Sequence, residues 1–365
     1  MTLDFSELSP SKRKQKVLKL SQDKLNFNKN YMQKLTDQTK KILLKTEEEL
    51  FNQLVDSDHP FRRLDDVIDF ELLVEPLRKE CYSDIGQNGI DIKKGLKTLL
   101  VQFWEDYSDR QMEKCLKENI AVRWFCEFGL TEDTPDHTYF CKLRKRLGVD
   151  LIRDIFNDVN VILNSQGLFG NVFNFIDAST IISKVSLWEE RDQAIKDGEE
   201  KLNNLVVNKY TADKQAKWGA KSKHNIWFGY KRHCAVDMRH GLIRNTAATP
   251  ANVLDYQALD KVCPSQGMVF MDKLYDCELA RQVVREHNCH NGTIRKNNNK
   301  QKNKDLDSWR SKTRMPFEGT FSKLSKRARY KGLDKTNLQC YLQAICYNLK
   351  KAVKILPLQA APAGA

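Results

Sequence analysis

"NVFNFIDAST" occupies residues 171–180. Val172, Phe173, Phe175 and Ile176 make the segment too apolar for a loop, and the run is too short for a helix. It predicts a buried strand ending at Asp177. The pattern recurs in "GMVFMDKLYD" (267–276), a second buried strand whose last residues include Asp272. Between them, "IWFGYKRHCAVDMRHGLIRNTAATP" (226–250) predicts two strands around the turn "DMRHG". The polar, lysine-rich stretch 184–224 reads as an insertion over the site rather than core. Downstream, "RKNNNKQKNKDLD" (295–307) is a low-complexity basic loop. "NLQCYLQAICYNLKKAVKIL" (337–356) then repeats Leu338, Leu342, Ile345 and Leu349 at helix spacing, which predicts a helix packed on the sheet.

Upstream the texture is helical. In "FRRLDDVIDFELLVEPLRKECY" (61–82), Phe70, Leu73, Val74 and Leu77 recur at helix spacing. "SDRQMEKCL" opens with Ser108 and has Gln111 three residues on, the signature of a capping box. "TPDHTYFCKLRKRLG" predicts a helix capped by Thr134, with Pro135 in its first turn and a stop at Gly148. That helix carries Lys142, Arg144, Lys145 and Arg146. Its basic side either faces DNA in a helix-turn-helix-like unit or complements the helix dipole, and the sequence leaves both readings open.

A third acid stands apart. Glu318, in "RMPFEGTFSKL" (314–324), is the only carboxylate between Asp307 and Asp334. Arg310, Arg314, Lys323, Lys326, Arg327 and Lys331 are among its neighbours. The segment is expected to become helical at Pro316, with Phe317, Phe321 and Leu324 facing the core and Arg314 lying just before the helix. Taken singly, an acid at a strand end caps a turn, and a lone Glu in a basic helix pairs with a neighbour. Brought together, Asp177, Asp272 and Glu318 would form an oxygen-rich pocket suited to Mg²⁺ or Mn²⁺. Two such ions could clamp the attacking and leaving oxygens of a phosphodiester. Asp237, Asp255 and Asp276 are rival acids, read as turn, helix-cap and post-strand residues. His224, His233 and His240 read as structural or DNA-facing.

Composition agrees with a polyanionic partner. The 365 residues carry 61 Lys and Arg against 48 Asp and Glu, a net charge of +13. That excess favours nucleic acid or an anionic membrane surface. No apolar run approaches the ~20 residues of a membrane span, and the basic N-terminus lacks the apolar core of a secretory signal. Ten cysteines without a C-x-x-C pair suit a reducing cytoplasm. His287, Cys289 and His290 in "HNCHNG" form at most a partial metal site, with no second ligand cluster to complete it.

From about Phe61 to Leu356 the chain resembles the DDE transposases of bacterial insertion sequences, in the family numbered five, within the wider hairpin-type transposase group. The resemblance rests on the ordered set "FRRLDDVIDFELLVEPLR", "SDRQMEKCLKENIAVRWFCEFGL", "TPDHTYFCKLRKRLG", "FIDAST", "FGYKRHCAVDMRHGLI", "TPANVLD", "MDKLYD" and R-x-x-x-E-x-x-F followed by "YKGLDKTNLQCYLQAICYNLKKA". It implies an α/β fold, a ribonuclease-H-like catalytic domain with a mixed sheet, preceded by an all-α N-terminal domain. The expected division is a basic helical extension (1–50), a helical DNA-binding domain (51–170), the catalytic domain (171–356) and a tail (357–365).

Carried over residue by residue, Asp177, Asp272 and Glu318 are the catalytic, metal-binding triad, with two Mg²⁺ ions per active site and Mn²⁺ as the other ion these donors suit. Arg314, four residues before Glu318, would hold a phosphate or displaced end base. Lys323, Lys326, Lys273, Lys231, Arg144 and Arg146 are the other expected DNA contacts. The related signature places Tyr three residues before the Arg and Lys seven after the Glu, where this chain has Ser311 and Ser325. The implied activity is cleavage of element ends and strand transfer into target DNA. Double-stranded DNA is the partner, a homodimer or higher oligomer the assembly, and the bacterial cytoplasm at the nucleoid the location. The alternatives are an inactive DNA-binding descendant and a nuclease that cuts without joining.

Overall fold

The structure is a computed structural model that describes residues 34, 46–81, 89–185, 187–198, 202 and 212–356. Most of the expected 1–50 extension, and the whole 357–365 tail, lie outside those residues. Helices α1 (Pro60–Val67), α2 (Phe70–Cys81), α3 (Ile92–Trp104), α4 (Asp109–Glu118), α5 (Ile120–Phe125) and α6 (His137–Ser165) come first. The Ser108 capping box is formed at the start of α4, with Ser108 Oγ accepting from the Gln111 amide and Gln111 Oε1 accepting from the Ser108 amide. At α6 the cap is Asp136, two residues past the expected Thr134. Its carboxylate accepts from the Thr138 and Tyr139 amides. Gly148 interrupts α6 at φ +64°, so the expected stop is a break after which the chain turns helical again.

Six strands follow the helices into one mixed sheet. They are β1 (Phe173–Ile182), β2 (Lys217–Ser222), β3 (Asn225–Asp237), β4 (Ile243–Pro250), β5 (Met268–Met271) and β6 (His290–Thr293). The path β4–β3–β1–β5–β6 holds β3 antiparallel to its neighbours and β5 and β6 parallel to β1. This is the ribonuclease-H-like arrangement. β2 pairs with β3 over Asn225–Gly229 and so belongs to the sheet. The lysine-rich stretch 184–224 is therefore not all insertion, because Trp218 gives its end a buried anchor. Helix α7 (Trp188–Lys196) precedes β2. Helices α8 (Glu278–Glu286), α9 (Lys304–Ser322) and α10 (Leu333–Ile355) complete the chain.

One apolar cluster joins the helical half to the sheet. Leu64, Leu96, Phe125, Phe140 and Phe156 belong to it with Phe175, Val236, Ile243, Leu342 and Ile345. The change at residue 170 is thus a change of secondary structure, not a break in packing. No helix among the described residues is long and apolar enough to cross a membrane.

Candidate active site

Asp177 lies on β1, and the strand runs on to Ile182 rather than ending at the acid. β1 and β5 pair in parallel, with Phe173 opposite Met268 and Phe175 opposite Phe270. Carrying that register two residues further sets Asp272 level with Asp177. Adjacent strands lie about 4.8 Å apart, so the pairing of β1 with β5 brings the two acids to the same end of the sheet. At Asp272 the chain leaves the sheet in a short 3₁₀ turn, which the Asp272 carboxylate caps by accepting from the Lys273 amide.

Alternation along each strand puts Phe175 on the face of Asp177, and Phe270 on that of Asp272. α9 lies across these aromatic rings. Trp309 meets Phe270 edge-on at 5.7 Å between ring centroids, and Phe321 meets Phe175 at 5.8 Å. The helix is tied at both ends. Arg310 donates to the Thr293 carbonyl at the end of β6, and the Ile182 amide donates to the Lys326 carbonyl just past the helix. Glu318 lies on α9 between the two ring contacts. All three acids line one open basin of about 600 Å³ with Lys221, Arg314 and Lys326.

The expectation that the helix begins at Pro316 is overturned. α9 starts at Lys304 and Pro316 sits inside it. Asn303 caps the start, and Asp305 and Asp307 in the first turn complement the dipole, so the helix is established before the proline is reached. Arg314 is therefore a helical residue one turn before Glu318, and the two form an ion pair at 3.3 Å. Its guanidinium lies over the Phe175 ring, and its Nε is buried with no hydrogen-bond partner.

The donors suit a hard cation: three carboxylates and no thiolate or imidazole line the basin. Burial raises the Asp177 pKa to about 6, against the opposing pull of the Ala178 amide, Lys221 and Arg314. A carboxylate desolvated in this way gains from a bound cation. Among the described residues, no three His, Cys, Asp or Glu side chains are grouped closely enough to hold an ion together. Glu318 is held in its ion pair with Arg314.

The rival acids have structural partners. Asp237 is fully buried, accepting from the Gly170, Asn171 and Arg239 amides and from Arg244. Asp276 accepts from Arg281, Arg295 and Asn299. Asp255 opens a 3₁₀ turn without capping it, and pairs with Lys231 at 2.8 Å. His233 is buried against Thr249, and burial lowers its pKa to about 4. His287 meets Asp260 and Cys289 donates to the Pro264 carbonyl.

Two expected DNA contacts are engaged elsewhere. Lys231 donates to Asp255 and to the Val253 carbonyl. Arg144 is 8% exposed; it makes a bidentate pair with Asp109 and lies over the Tyr330 ring. Burial works to raise the Asp109 pKa, but the Arg144 and Gln102 hydrogen bonds outweigh it and hold it low. Arg144→Ala is expected to lower unfolding stability by about 2–4 kcal/mol, because it strands a partly buried carboxylate. Arg146 is exposed, and Arg146→Ala should change stability by less than about 0.5 kcal/mol. Denaturant melts of the two variants check the contrast. Lys273, Lys323 and Lys326 are exposed. Trp188, Arg191 and Lys221 also line the basin. Sequence reasoning passed over them because they lie in the stretch taken for an insertion.

Residues 49–146 match the family described as "Transposase domain (DUF772)", and residues 194–349 match "Transposase DDE domain". The second match includes Asp272 and Glu318 and begins after Asp177. Over 240 residues the chain is 29% identical to "Transposase for insertion sequence element IS1106" of Neisseria meningitidis serogroup B, covering 62% of this chain and 81% of that protein. Among solved structures, the piggyBac transposase synaptic complex with hairpin DNA is similar at a TM-score of 0.30 and 10% identity. That match covers 82% of this chain and 76% of the other, and so loose a likeness carries no argument.

Proposed function

This chain belongs to the DDE transposases of bacterial insertion sequences, and on that premise we propose that its basin cuts the ends of such an element, of the family-five type, and joins them to target DNA. The observation that supports the reading is that Asp177, Asp272 and Glu318, from three separate elements, line one basin with a basic rim. Asp177, Asp272 and Glu318 would hold two Mg²⁺ or Mn²⁺ ions. Bound there, the ions would activate the attacking oxygen and neutralise charge on the transferred phosphoryl group.

The chain's own residues bind and orient the DNA. Lys326 on the rim and Lys273 beside Asp272 draw in the backbone, whose phosphates three bare carboxylates would repel. Arg314 offers a fork of donors that suits a phosphate bidentately. Water displaces the 3′ oxygen at the element end, and the freed 3′-hydroxyl then displaces a 3′ oxygen in the target. Each step exchanges one P–O bond for another, so neither consumes an oxidant or reductant. The protein would act in the bacterial cytoplasm as a homodimer or higher oligomer on DNA.

The test is incubation of the protein and Mg²⁺ with a plasmid carrying its gene and flanking DNA. Cleavage at matched inverted repeats, with joined products, is expected. Cleavage without joining would identify a nuclease, and binding without cleavage an inactive descendant.

Arg314 yields a further expectation. Its pair with Glu318 is worth little, since Glu318 is half exposed and Arg before Glu is the weaker order on a helix. Arg314→Lys should lower end cleavage by roughly tenfold or more, by losing the bidentate contact. Thermal melting of the DNA-free variant should stay within about a degree or two. A large fall in melting temperature would return Arg314 to a structural role.

A further inference from the structure

We propose that a second groove, behind the basin, is a track for the DNA backbone, with Lys323, Lys326 and Lys354 as its phosphate contacts. This rests on the nucleic-acid reading of the basin and extends it to a separate surface. The groove measures about 810 Å³ and lies where α3, α9 and α10 end. Ser322 and Lys326 line both it and the basin, so a strand leaving one can enter the other.

Five lysines line the groove, and they divide into two kinds. Lys350 donates to the Trp104 carbonyl at the end of α3, and Lys351 to the His240 carbonyl. Those two serve the fold: Lys350 satisfies a carbonyl at a helix end, and Lys351 ties the turn between β3 and β4 to α10. The side chains of Lys323, Lys326 and Lys354 are exposed and make no hydrogen bond or ion pair with other described residues. The acid on the groove wall, Asp106, is already paired with Arg329. What remains is uncompensated positive charge against a wall containing Phe103, Trp104 and Tyr347, which focuses the field on an entering anion.

The occupant is a chain rather than a small anion, because the charges follow an open groove continuous with a phosphodiester site. It is held by its backbone rather than its bases. Phe103, Trp104 and Tyr347 are all less than a tenth exposed and offer little ring face for stacking. Binding along this track should therefore be indifferent to sequence.

The experiment compares wild type with Lys323→Ala/Lys354→Ala and with Lys323→Arg/Lys354→Arg, using a random-sequence duplex of roughly 30 base pairs and fluorescence anisotropy across a salt series. Losing two phosphate contacts should reduce the log–log salt slope by about 1.8, and affinity near 100 mM salt by roughly tenfold. The arginine pair should restore both, and melting temperatures should match across all three proteins. An unchanged slope in the alanine pair overturns the proposal. So does a loss that the arginine pair shares, or a change in sedimentation without a change in slope, which would make the groove a subunit contact. The basin is tested separately by metal-dependent cleavage. Cleavage that needs the three acids, together with an unchanged slope, removes the groove alone. A lowered slope with cleavage indifferent to the acids removes the basin reading alone.

Discussion

Asp177→Asn, Asp272→Asn and Glu318→Gln each lower metal-dependent cleavage by at least about a thousandfold while leaving DNA binding largely intact. Each change removes charge without volume, so the cation site is lost and the fold kept. Asp177 has a second readout. Its folded pKa of about 6 lies above the ordinary aspartate value of 3.8, so the native state holds the proton more tightly than the unfolded chain. Stability from this group is full below about pH 4 and is lost as pH rises through about 6. At pH 7 the buried charge costs about 2–3 kcal/mol. Asp177→Asn should therefore melt a few degrees higher than wild type without metal, and the gap should close toward pH 4. Near-normal cleavage by any one variant at saturating Mg²⁺ would remove that residue from the triad.

Gly229→Ala is expected to be the most damaging single change to the sheet, lowering stability by at least about 3 kcal/mol. Gly229 pairs with Ile182 across β1 and β3, and an added Cβ would stand 2.1 Å from the Ile181 carbonyl oxygen and 2.7 Å from the Ser183 nitrogen. Both are backbone atoms, so no side-chain rotation relieves the contact. The neighbouring strands block the escape, since β2 ends its pairing at the same residue. Relief requires β1 and β3 to part at the end where β1 also bonds the loop after α9. Soluble yield and denaturant melts would register the loss, and a variant as stable as wild type would mean that the strands can part there at little cost.

Four of the six strands, β1, β3, β4 and β5, were legible because they lie in short apolar runs with punctuation, whereas β6 in "HNCHNG" was not read as a strand. "FID" and "FMD" announce both the strands and the acids. The aromatic two residues before each acid anchors the helix that carries Glu318. Less legible was anything that depends on a partner distant in sequence. β2 has too few apolar residues to declare itself and is a strand because β3 supplies its ladder. Arg144 looked like one more charge on a basic helix, and only Asp109, 35 residues away, makes it a buried tie. Pro316 looked like a helix start because local rules favour it there, yet Asn303 had capped the helix four turns earlier. Lys354 drew no notice, since nothing local separates it from Lys350 and Lys351.

The apolar cluster shared by the helical half and the sheet has a bearing on inheritance. Leu338, Leu342 and Ile345 near the end of the chain pack in one body with Leu64, Leu96 and Phe140 near its beginning. Chains assembled by exchanging first halves between divergent relatives would mate α10 with helices it did not evolve beside. Close-packed interiors tolerate such mismatches poorly. The two halves would then descend together as one lineage, diverging by substitution at exposed positions.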